Sequence, residues 1–62
     1  MSHTVHLRPT RTPGEWLVAV DGVTLPDLRV IALGSSWRGT RCGSTVLIGA
    51  DPLDVARRLA LA

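Results

Sequence analysis

Trp16-Leu17-Val18-Ala19-Val20-Asp21-Gly22-Val23-Thr24-Leu25 decides how this chain begins to fold. An Asp-Gly pair between two apolar runs is a strong hairpin signal. Both turn positions accept positive φ, and the resulting turn matches the natural twist of the flanking strands. A two-residue turn at Asp21-Gly22 pairs Val20 with Val23 and Val18 with Leu25. Period-two alternation then gathers Trp16, Val18, Val20, Val23 and Leu25 on one face, with Ala19 and Thr24 on the other.

Upstream, Thr4 to Leu7 reads as a short strand, and Arg8 to Gly14 as an extended, proline-stiffened loop. Downstream, Pro26-Asp27 breaks the second hairpin strand, and Leu28 to Leu33 resumes β character. Gly34 to Gly43 is rich in turn residues, with Arg38-Gly39 the expected turn, and Thr45 to Ile48 is the next strand. That turn sets Ile31 against Val46 and Val30 against Leu47. Leu28, Val30, Ala32 and Leu47 then share one face, and Ile31, Leu33, Val46 and Ile48 the other. Both faces of this second hairpin are apolar.

The C-terminal segment carries the signals of a helix. Asp51 is a good N-cap, Pro52 suits the first helical position, and Asp54 lies near the positive end of the helix dipole. At about 100° per residue, Pro52, Leu53, Val55, Ala56, Leu59, Ala60 and Ala62 span about half the circumference, while Asp54, Arg57 and Arg58 line the other half. Leu61 falls on the polar side. Residues 1–62 are therefore expected to form one α+β domain, a small antiparallel sheet of hairpins packed against one C-terminal helix. One helix covers one face of a sheet, so the second apolar face needs another chain.

Size sharpens that need. A chain of 62 residues buries only about 60% of its unfolded surface, and domains this small usually lean on disulfides, a metal or a partner. An internal disulfide is excluded, because Cys42 is the single cysteine. Residues Met1 to Thr12 show no apolar core of signal-peptide length, and the longest apolar run, Trp16 to Val20, is too short for a membrane span. The expected location is the cytoplasm, of a bacterium or an infected host. All seven basic residues are arginine, and Lys, Asn, Gln, Phe and Tyr are absent, a usage that points to a GC-rich genome. The net charge of +2 permits an anionic partner without demanding one.

The residues offer little chemistry. A nucleophile needs a base within reach, and the histidines, His3 and His6, both lie at the N-terminal end. Those two with Cys42 make three ligands, short of the four of a structural zinc site. No enzyme activity, metal or cofactor is expected. Asp21, Asp27 and Asp51 are turn and cap residues. The stretch Gly34 to Thr45 is the most suggestive, since its glycines, hydroxyls and Arg38 and Arg41 suit an anion and Trp37 suits a stacked base. It lacks the Gly-Lys-Ser/Thr core of a phosphate-binding loop. Arg8 and Arg11 would add phosphate contacts.

The segment Val18 to Val30 resembles the opening of short uncharacterised proteins of actinobacterial phages, which also run strand, Asp-Gly turn, strand, proline, strand. The resemblance implies a phage origin, with a role as structural component or modulator of a host protein, and transfers no site residue. The leading expectation is a non-enzymatic interaction subunit, a homo-oligomer or part of a larger protein assembly. Its contacts would be Trp16, Ile31, Leu33, Trp37, Val46, Ile48 and Leu61. The alternative is a nucleic-acid-binding accessory protein using Arg8, Arg11, Arg38, Arg41 and Trp37. No membrane partner is expected.

Overall fold

The computed structural model describes residues 2–61, so Ala62 of the expected helix lies outside the described residues. The elements follow in the order β1 (Val5–Pro9), β2 (Glu15–Val20), β3 (Val23–Leu33), β4 (Ser36–Arg41), β5 (Ser44–Gly49) and α1 (Pro52–Leu61). The five strands form one antiparallel sheet in chain order. Helix α1 lies on one face and touches every strand. The chain thus adopts the α+β architecture that its turn and cap signals imply.

The first hairpin follows its sequence. Asp21 and Gly22 take φ of 51° and 84°, and Val20 pairs with Val23 and Val18 with Leu25. Pro26-Asp27, however, does not end the strand. Leu17 pairs with Arg29 while Val18 pairs with Leu25, so Pro26, Asp27 and Leu28 bulge from the ladder and β3 continues. The bulge resets the alternation, which lets Leu25 and Leu28, three residues apart, both reach the helix-covered face. Leu28 is buried there with Val18 and Val30.

The expected turn at Arg38-Gly39 is corrected by the structure. These residues sit in the middle of β4, and the chain turns instead at Gly34-Ser35 and Cys42-Gly43. Strand β4 therefore stands between the residues expected to pair. Val30 faces Gly39, which faces Leu47, and Ile31 faces Arg38, which faces Ile48. Gly39 is a packing glycine. A Cβ there would lie 3.0 Å from Val55 Cγ1 and 3.4 Å from Leu59 Cδ2. Gly49, on the neighbouring strand, would meet the other Val55 methyl at 2.9 Å. The two glycines make a shallow seat into which the helix settles.

The helix is capped as its sequence implies. Asp51 Oδ2 accepts from the Asp54 N–H at 3.2 Å, and the Asp51 carbonyl accepts from the Val55 N–H at 3.0 Å. Val55, Ala56 and Leu59 are fully buried against Val18 and Val30. Arg58 and Asp54 pair at 3.2 Å on the exposed side. Such a pair contributes about 0.3–0.5 kcal/mol at most. The helix is held by its buried stripe.

Candidate interaction surface

Alternation across the register separates the side chains into two sets. Trp16, Val30, Gly39 and Leu47 form one cross-strand row beneath the helix, and Ala32, Trp37 and Gly49 another. Both tryptophans are half-buried and pack against the core. Arg41 lies on this side as well, where its Nη2 donates to the Leu59 carbonyl at 3.0 Å near the end of the helix. It thereby satisfies one of the carbonyls that a helix C-terminus leaves without an intrahelical donor.

The opposite face has no helix. One row runs Arg8, Leu17, Arg29, Thr40, Thr45, and the next runs Glu15, Ile31, Arg38, Ile48. Leu33 extends the apolar residues toward the β3–β4 turn, and Val46 is the extra residue of a bulge in β5. Leu33, Val46 and Ile48 keep 46%, 51% and 55% of their surface in solvent, and Ile31 is half-buried among them. The four residues expected to share a face do so. Leu61 is exposed at the end of α1, apart from this strip.

Arginines and one acid accompany the strip. Arg29 Nη1 donates to Glu15 Oε1 at 2.6 Å, in a pair that is only partly exposed. Arg38 lies between Ile31 and Ile48, and its Nε is buried without a hydrogen-bond partner among the described residues. Its aliphatic stem extends the apolar surface, and its Nε is covered by the chain itself. Arg11 is exposed in the β1–β2 loop. The stretch from Gly34 to Thr45 is accordingly two turns flanking a strand. Its alternation sends Arg38 to the open face and Trp37 and Arg41 to the helix side.

The remaining polar groups are local. His3 Nδ1 and Asp21 Oδ2 lie 2.6 Å apart, and the Thr4 N–H donates to Asp21 Oδ1 at 2.9 Å. These two hydrogen bonds, His3 first, hold the Asp21 carboxyl below the usual carboxylate range. The Asp21 N–H donates back to the Thr4 carbonyl at 2.8 Å, which ties the N-terminal segment to the first hairpin turn. Cys42 is exposed at the β4–β5 turn. Among the described residues no set of three or more His, Cys, Asp or Glu side chains could hold a metal, and no helix is long and apolar enough to cross a membrane. No family model, curated protein or solved structure matches the chain.

Proposed function

We propose that the protein is a non-enzymatic, self-associating interaction subunit whose contacts lie on the apolar side of its sheet, toward β5. The observation that carries this reading is the strip formed by Ile31, Leu33, Val46 and Ile48 on the face that α1 does not cover. Single exposed apolar side chains are ordinary on a protein surface, whereas a contiguous group on one face marks an interaction site. The test is solution mass by light scattering over a range of concentrations, at low and high salt. A dimer or larger species that persists in high salt is expected. A folded monomer under every condition would overturn self-association.

A second reading is favoured by the arginines. Arg8, Arg29 and Arg38 share the open face with Glu15, their one acidic neighbour in the two rows. Such a surface suits the phosphates of a nucleic acid, with binding that weakens as counterions accumulate. Titration with single- and double-stranded oligonucleotides separates the two readings. Binding that Arg8→Ala and Arg38→Ala remove, on an unchanged fold, would favour the nucleic-acid reading.

A further inference from the structure

The two edges of the sheet are built differently. β1 carries His6 and Arg8 and ends at Pro9, which has no N–H to offer. Charges and proline are the usual means of blocking an edge against another strand. β5, Ser44–Gly49, contains no charged residue and no proline. Its Val46 and Ile48 are exposed, and the edge N–H and C=O groups that point away from β4 have no strand beyond them. Edge pairing therefore favours β5 over β1.

We propose that β5 of one molecule pairs antiparallel with β5 of a second copy about a two-fold axis, giving one continuous ten-stranded sheet. This rests on the self-association reading and names the contact. A two-fold antiparallel pair sets each strand against itself, so any charge on it meets a like charge close by. β1 would bring Arg8 and its copy together on adjoining strands, and β5 has no such conflict. Stacking two open faces would instead desolvate Arg8 and Arg38 of each copy, neither of which has an ion-pair partner among the described residues. Edge pairing keeps the arginines apart and sets the two apolar strips side by side.

The bulge at Val46 leaves the regular part of the edge short, so the dimer is weak and concentration-dependent. The test combines light scattering with amide hydrogen exchange on the full chain, from micromolar to millimolar concentration. The mass is expected to rise toward that of a dimer. Over the same range, the outward-facing β5 amides should slow by on the order of tenfold, while the β1 amides do not change. Val46→Lys with Ile48→Lys, both at exposed positions, should remain monomeric with an unaltered far-UV circular dichroism spectrum. A dimer whose β5 amides exchange equally fast at every concentration would overturn edge pairing and leave self-association standing. So would a folded double-lysine variant that still dimerises. A wild-type monomer throughout would overturn both. Because the amide measurement uses the wild-type chain, the outcome does not depend on the variant folding.

Discussion

Replacing Gly39 with alanine tests the packing of the helix on the sheet. The added Cβ lies 3.0 Å from Val55 Cγ1 and 3.4 Å from Leu59 Cδ2, and both of those side chains are fully buried. A flexible surface chain would swing aside, but Val55 is β-branched and has one strongly preferred rotamer in a helix. The strain is met by a small shift of α1, and overpacking of this kind costs about 1–3 kcal/mol. Alanine also restricts the unfolded chain, which returns about 0.4–1 kcal/mol. The net destabilisation expected is roughly 1–2 kcal/mol, or about 4–16 °C in Tm for a domain of this size. A 62-residue domain has only about 3–9 kcal/mol in total, so the effect is large.

The assay is urea unfolding followed by tryptophan fluorescence, run as a double-mutant cycle with Val55→Ala. Alone, Val55→Ala removes two buried methyl groups and costs about 2 kcal/mol. Combined with Gly39→Ala, it removes the γ-methyl that the new Cβ would strike, so the pair should cost about 0.5–3 kcal/mol less than the sum. Strict additivity, or a Gly39→Ala protein as stable as the wild type, would refute the close seating of the helix on β4.

Other perturbations follow from single residues. Cys42 holds φ of 52° at the first position of a Cys-Gly turn, where most L-residues are strained, so Cys42→Asn should raise the urea midpoint by an amount equivalent to about 0.5–1 kcal/mol. The depressed Asp21 carboxyl contributes stability that is present above its unfolded value near 3.8 and lost as pH falls through its lower folded value. A carboxyl titration by NMR should therefore place the Asp21 midpoint below 3.8, and Asp21→Asn should flatten the stability profile in that acid range. Arg38→Met keeps an unbranched apolar stem and removes the unpartnered Nε, so thermal unfolding should show a fold at least as stable as the wild type.

The elements legible in the sequence are those whose cause is local. Asp21-Gly22 specifies its own turn, and Asp51-Pro52 starts its own helix. Strand β4 is hidden because its cause is distant. Gly39 resembles a turn residue until Val55 and Leu59 are brought over it, and nothing near it in the chain announces them. Cys42-Gly43 is equally silent, since cysteine is not among the residues that favour positive φ. The composition of the open face is nevertheless legible despite the misplaced turn. Val30 keeps the row of Leu47 while Ile31 takes that of Ile48 rather than Val46, because the intervening β4 makes β3 and β5 parallel, and period-two alternation still leaves these side chains on the expected faces. The role of the arginines does not carry over so simply. As a loop, Arg38 and Arg41 would act together, whereas as a strand they lie on opposite faces, and Arg41 is engaged with the helix end.

The open face therefore combines features that usually belong to different kinds of partner. Its apolar residues are concentrated on β3 and β5, toward one edge, while Arg8 and the Glu15–Arg29 pair lie toward the other. Arg38 stands within the apolar region, between Ile31 and Ile48. A purely apolar partner laid over the whole face would strand the guanidinium groups, and a nucleic acid laid over it would gain nothing from Ile31, Leu33 and Ile48. Division of the surface resolves the conflict. Pairing through β5 would use the edge beside the apolar residues and leave Arg8 and the Glu15–Arg29 pair of each copy far from the contact.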